Sequence, residues 1–125
     1  MIGIDSHLGG VVHELSIARS IVEIVSAAAL EDGSGKVVAV RVRIGVLSAI
    51  APAALEFSYD VASRDTPLEG SRLIVRLVPA LVYCARCNQE TELPEITRFA
   101  CAMCGTPTSD LRAGRDLEVE SIEVV

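Results

Sequence analysis

Tryptophan is absent and aromatic residues make up only 3% of the 125 positions. The interior must therefore be assembled from Val, Leu, Ile and Ala, with Phe57, Tyr59, Tyr83 and Phe99 as the only rings. Lysine is nearly missing too: Lys36 stands against ten arginines, which with the abundance of Ala, Val and Gly points to a GC-rich coding sequence. No apolar run approaches the roughly 18 residues that a membrane-spanning helix requires. Residues 1–11 contain Asp5 and His7 but no basic start, long apolar stretch or small-residue cleavage site, so a secretory signal is not expected and the setting reads as cytoplasmic. A net charge of −6 leaves no basic excess for a phosphate backbone, which argues against nucleic acid as a partner. The length bounds the chain at one ordinary domain with little to spare.

What is there is concentrated. All four cysteines lie in two short motifs, Cys84-Ala-Arg-Cys87 and Cys101-Ala-Met-Cys104, with thirteen residues between them. Each CxxC bends the backbone so that two thiolates converge, and two such turns can meet on one tetrahedral cation. Two disulfides would need an oxidising compartment, for which the first residues give no support. A structural zinc site on Cys84, Cys87, Cys101 and Cys104 is the favoured reading, with an iron site or a redox pair as the alternatives. Four protein thiolates would fill every position of a tetrahedral ion, whereas a catalytic zinc keeps one for water.

In chain order, residues 1–11 have no periodicity and read as a flexible extension. From Val12 onward Leu15, Ala18, Val22, Val25 and Ala29 share a helical stripe, beside Ile17, Ile21, Ile24 and Ala28. Asp32-Gly33-Ser34-Gly35 ends this helix. The segment 37–44 alternates as a strand, with Val38, Val40, Val42 and Ile44 on one side and Arg41 and Arg43 on the other. Pro52 opens a second helix to about residue 63, whose inward stripe reads as Ala54, Leu55, Phe57, Ser58, Val61 and Ala62. A second strand is expected over 71–79, and a last one over 116–125, where the apolar phase of Leu117 and Val119 differs from that of Ile122 and Val124. A bulge near Glu120 and Ser121 would reconcile the two phases. The expected fold class is α+β: a three-stranded sheet with two helices packed on one face, plus an inserted zinc-ribbon-like four-cysteine module. The corresponding division is a 1–11 extension, a domain formed by 12–80 and 110–125, and a polar, loop-like metal module over 81–109.

A second constellation, Val12-His13-Glu14-Leu15-Ser16, stands at the start of the first helix. It is open to two readings. One is an exposed His and Glu in a first turn, where an acid suits the helix dipole. The other uses the fact that the first amides of a helix lack intrahelical partners. An imidazole, its own deprotonated amide and a nearby terminal amine then offer the square-planar nitrogen set that suits Ni(II) or Cu(II).

His13-Glu14-Leu15-Ser16 opening a helix, Arg43-Ile44-Gly45-Val46-Leu47-Ser48, Gly70 leading into a strand, the paired CxxC motifs and a terminal Ser121-Ile122-Glu123-Val124 together resemble the HypA/HybF hydrogenase maturation proteins, over essentially residues 12–125. The resemblance implies a nickel metallochaperone and not an enzyme. It implies that His13 is the main Ni(II) ligand, supported by Glu14 and the backbone at Val12, and that the four cysteines carry structural Zn(II). It further implies delivery with the GTPase HypB to the large-subunit precursor of [NiFe]-hydrogenase, with urease maturation as a further client in some lineages. The chain departs from the family pattern in two places. His13 lies behind extra residues, although a GTG start codon at Val12 would restore a terminal Met-His-Glu, and Ala51 stands where some members have an acid. His7, in the extension, is expected to have no role. The competing classes are a rubredoxin-like iron electron carrier, which also uses paired CxxC motifs, and a zinc-ribbon adaptor protein, which would need a basic or aromatic surface.

Overall fold

The computed structural model describes residues 2–4, 14–33 and 35–125. Its first helix, α1, is Glu14–Asp32, and its second, α2, is Pro52–Ala62 with Pro52 in the first turn. The strands are β1 (Ile2–Ile4), β2 (Val37–Gly45), β3 (Arg72–Val78), β4 (Leu81–Cys84), β5 (Gln89–Glu92), β6 (Leu111–Ala113) and β7 (Leu117–Val124). They form two sheets, β1-β7-β2-β3 and β5-β4-β6.

The larger sheet contains the three expected strands, with β2 parallel to β3 and antiparallel to β7. Alternation places Val40, Val42 and Ile44 of β2 and Leu117 and Val119 of β7 in the core, against Ile17, Ala18, Ile21, Val22 and Val25 of α1 and Leu55 and Tyr59 of α2. Both helices therefore cover one face. The expected bulge is present: Arg41 pairs with Ser121 and Val42 with Val119, leaving Glu120 as the extra residue, so both apolar phases of β7 point inward.

Four details of the sequence reading are corrected. First, a second irregularity at Val38 shifts the phase of β2, so Val37 rather than Val38 is in the core. Second, α2 is rotated from its expected orientation: Phe57 is 70% exposed and Ala54 is exposed, while Tyr59 is fully buried. Tyr59 can occupy the interior because its hydroxyl meets Ser71 Oγ at 2.5 Å, and Ser71 in turn hydrogen-bonds the Leu68 carbonyl. Burial pushes the Tyr59 phenol above its ordinary pKa, which keeps it neutral. Third, part of the presumed flexible extension is ordered as β1, which pairs antiparallel with β7 (Ile2 with Val119, Ile4 with Leu117) and makes the sheet four-stranded. The rest of that extension, residues 1 and 5–11, lies outside the described residues. Fourth, the cysteine segment is more regular than a set of loops: it carries its own antiparallel sheet and a small core of Ala80, Val82 and Leu93, against which Val46, Leu47 and Leu111 pack.

The two sheets meet at a tight backbone joint. The amides of Gly45 and Leu47 donate to the carbonyls of Asp116 (2.9 Å) and Gly114 (2.8 Å). A Cβ at Gly45 would lie 2.1 Å from the Gly114 carbonyl carbon, and one at Gly114, whose φ is +103°, would lie 2.5 Å from Ala80 Cα. Only glycine allows the chains to approach this closely. No helix among the described residues is long and apolar enough to cross a membrane.

Candidate metal centre

The two CxxC motifs sit on equivalent turns. Cys84 ends β4 and Cys87 precedes Asn88, whose φ is +54°; Cys104 precedes Gly105, whose φ is +77°. In each case a left-handed residue directly after the second cysteine turns the chain back, a conformation that Gly and Asn adopt most readily. The amide of Cys87 donates to Cys84 Sγ at 3.5 Å and that of Met103 to Cys101 Sγ at 3.4 Å.

The result is one cluster: the ligand atoms of Cys84, Cys87, Cys101 and Cys104 all lie within 4.8 Å of one another. Cys84 Sγ is 3.7 Å from Cys104 Sγ and Cys101 Sγ is 3.9 Å from Cys87 Sγ, contacts that run across the two motifs. Four sulfurs around a tetrahedral ion with bonds of about 2.3 Å would be about 3.8 Å apart, close to the 3.7 and 3.9 Å of these two contacts. All four are free thiols rather than disulfides. Cys84 and Cys101 are buried, Cys87 is partly covered and Cys104 is exposed, so the cluster reaches the surface on one side.

The thiols are not equivalent. Hydrogen bonds from the Thr106 hydroxyl and amide hold Cys104 down to about 6, and the Cys104 amide lowers Cys101. Cys87 is pushed up to about 12, chiefly because its thiol proton is shared with Cys104 and secondarily through desolvation. The cluster thus favours some thiolates but resists ionising all four, since like charges this close repel; a central cation removes the conflict. This donor set fits a soft or borderline ion such as zinc or iron.

Several supporting residues have no motif to announce them. The Thr91 hydroxyl lies 3.9 Å from Cys101 Sγ and accepts from the Ala102 amide at 3.4 Å. Thr106 Oγ1 is 3.1 Å from Cys104 Sγ. Arg112 stacks 4.5 Å above the Tyr83 ring and forms a two-pronged pair with Asp110 at 2.8 and 2.9 Å, joining β6 to β4. The only sequence signal for Thr106 is its place two residues after Cys104.

The expected nickel residues are at the other end of the sequence. Glu14 is the first residue of α1 and is half-buried. Val12 and His13 lie outside the described residues. The Gly45 turn of the shared sequence pattern continues into a short 3-10 turn, Val46–Ser48, closed by a hydrogen bond from Ser48 Oγ to the Gly45 carbonyl at 2.8 Å. Ala51 is the N-cap of α2 and provides no side-chain cap, so the acid missing from this position would have stood at a helix N-terminus.

Comparison with known proteins agrees with this architecture. A family model described as "Hydrogenase/urease nickel incorporation, metallochaperone, hypA" matches residues 12–124. The hydrogenase maturation factor HypA of Chloroflexus aggregans is 45% identical over 111 residues, covering 89% of this chain and 97% of the relative. That of a Roseiflexus species is 42% identical, covering 89% and 90%. The solution structure of the Ni metallochaperone HypA from Helicobacter pylori superimposes with a TM-score of 0.67 at 18% identity, covering 90% of this chain and 97% of that one, and so shares the fold. By the extent of the family match and the identity to these relatives, the chain belongs to the HypA family of hydrogenase maturation factors.

Proposed function

We propose that this protein is a cytoplasmic nickel carrier, not an enzyme, that binds Ni(II) at the start of α1 and releases it to the large-subunit precursor of [NiFe]-hydrogenase with the GTPase HypB as partner. The observation that carries the reading is the boundary of the family match, which begins at residue 12 and so takes in Val12, His13 and Glu14 as its opening residues. In this reading His13 supplies the imidazole, backbone nitrogens at Val12 and His13 complete a planar set, and Glu14 supports it. Ni(II) accepts such nitrogen ligands, and a site at a helix start can open without disturbing the core. Urease maturation is a second client compatible with the family description.

The four cysteines would hold Zn(II) as a structural ion. Zinc supplies no redox chemistry there; it neutralises the thiolates and fixes the two turns on which the small sheet is built. Cys84, Cys87, Cys101 and Cys104 would occupy all its positions, so this ion is not the one handed on.

The test measures zinc and nickel per chain on the full-length protein and on a form in which Met replaces Val12 as the first residue, each with and without His13→Ala. The expected outcome is about one zinc in all four proteins, itself colourless, and stoichiometric nickel only where His13 is present. Undiminished nickel binding after His13→Ala would refute the assignment, and visible absorption from bound iron would refute the zinc reading.

A further inference from the structure

The two edges of the larger sheet differ. Along β7, the residues Leu117–Val119 are paired with β1, a segment that precedes the family match, so that edge already accepts an added strand. The opposite edge is β3, seven residues long, whose backbone pairs with β2 alone among the described residues. Every second residue of β3 therefore directs its N–H and C=O away from the sheet. The inward side chains at this edge are incompletely covered: Leu73 and Val75 are partly buried and Leu77 is 54% exposed.

The charges on the outer face form columns. β7 contributes Glu118, Glu120 and Glu123, the last paired with Arg41 at 3.7 Å; β2 contributes Arg41 and Arg43, and β3 contributes Arg72 and Arg76, with Arg43 directly beside Arg76 in register. Glu118 pairs with Arg43 at 3.1 Å and Glu120 reaches Arg76 at 2.6 Å. Arg72 is exposed and, among the described residues, has no acid against it. Among the described residues three acids on β7 thus serve four bases on β2 and β3, with Glu120 shared between Arg43 and Arg76, so the β3 edge is short of an acid. A second copy of this chain does not supply it, because pairing β3 with itself would gather Arg72 and Arg76 of both copies on one face with no acid between them.

We infer that the β3 edge is a strand-addition site for an extended segment of a partner protein that carries acidic residues four positions apart. Backbone pairing to Arg72–Val78 would supply affinity, the two acids would lie beside Arg72 and Arg76, and the alternate side chains, apolar, would cover Leu73, Val75 and Leu77. The residue between the acids would lie beside Ile74. This surface uses none of the expected nickel residues and stands whether or not the cargo is nickel.

The probe is a capped peptide, acetyl-Ser-Glu-Val-Thr-Val-Glu-Val-Ser-amide, titrated into the full-length protein with backbone amide shifts followed by NMR. Shifts concentrated on 72–78 are expected, with binding about tenfold tighter than for the same peptide carrying Lys at both Glu positions. Arg72→Glu, at an exposed position, is expected to abolish that preference without loss of fold. Two further versions, N-methylated at alternate residues in opposite phases, separate backbone pairing from attraction of charge alone: one phase should bind and the other should not. Equal binding by both phases, shifts centred elsewhere, or an acidic preference that survives Arg72→Glu would overturn the proposal.

Discussion

Replacing Gly114 by alanine tests the joint between the two sheets. Gly114 has φ +103°, and a Cβ there would meet Ala80 Cα at 2.5 Å, Ala80 N at 2.9 Å and Pro79 O at 2.9 Å. All three are backbone atoms, so no side chain can swing aside to make room. Holding an L-residue at positive φ costs roughly 1–2 kcal/mol, and forcing a methyl group into a filled site adds about 1–3 kcal/mol. Relief by moving Ala80 would strain its carbonyl's hydrogen bond from the Leu93 amide, and moving Gly114 would strain its bond from Leu47. The expected loss is about 2–5 kcal/mol, a large part of the 5–15 kcal/mol that usually stabilises a domain. Gly70 is the control: its φ is +84° but a Cβ there would meet nothing within 4 Å, so Gly70→Ala should show the backbone cost alone. The assay is urea unfolding of both variants at saturating zinc, with hydrogen exchange at the Leu47 and Leu93 amides as the local readout. If Gly114→Ala is no more destabilising than Gly70→Ala, or if those two amides keep their protection, the joint is not the rigid contact described.

Other outcomes rest on buried and reactive groups. Ser71→Ala should destabilise by about 1–3 kcal/mol in thermal unfolding and more than Tyr59→Phe, because it leaves the buried Tyr59 hydroxyl without its partner, whereas Ser71 can still bond the Leu68 carbonyl when the phenol is removed. In the metal-free protein the exposed Cys104, held down to about 6 from an ordinary 9.0, should be the first thiol alkylated by iodoacetamide near pH 7, well ahead of the partly covered Cys87, which is pushed up to about 12. The depressed Cys104 stabilises the metal-free fold above about pH 9, and that contribution fades as pH falls from there through 6. Thr106→Val should slow its alkylation, as read by mass mapping of the modified cysteines, and an unchanged rate would show that Thr106 does not hold the thiolate.

The cysteine cluster was legible because metal coordination restricts spacing: two CxxC motifs have few other uses, and the residues between ligands matter little. The β7 bulge was legible for a related reason, since a change of alternation between Val119 and Ile122 leaves few remedies. Tyr59 was harder. Hydrophobicity ranks Phe57 above it, and only the distant Ser71 hydroxyl, twelve residues away, makes the tyrosine the better core residue. The same holds for Val37, whose burial depends on where β2 meets β7 rather than on its own neighbours. Strand β1 left no trace in the pattern, because three residues are too few to show a period and the pairing is decided by the free edge of β7. Thr91 and Thr106 became recognisable only once the sulfurs beside them had been placed. The nickel residues were read from a shared motif, and Glu14 alone of the three lies within the described residues.

The position of β7 has a consequence for how the chain acquires its shape. The strand lies between β1 and β2, so the sheet cannot close until residues 117–124 are available, and its partners lie about as far away in sequence as this chain allows. Such distant pairing is slow, because the entropy of closing a long loop is lost before the contacts repay it. The segment joining β3 to β7 contains all four cysteines. An ion captured early by that cluster would gather the intervening chain into a small knot and shorten the search that β7 must make for β2. The same four thiols would then act during synthesis as a timing element, and the supply of metal would set how quickly the newly made chain becomes competent.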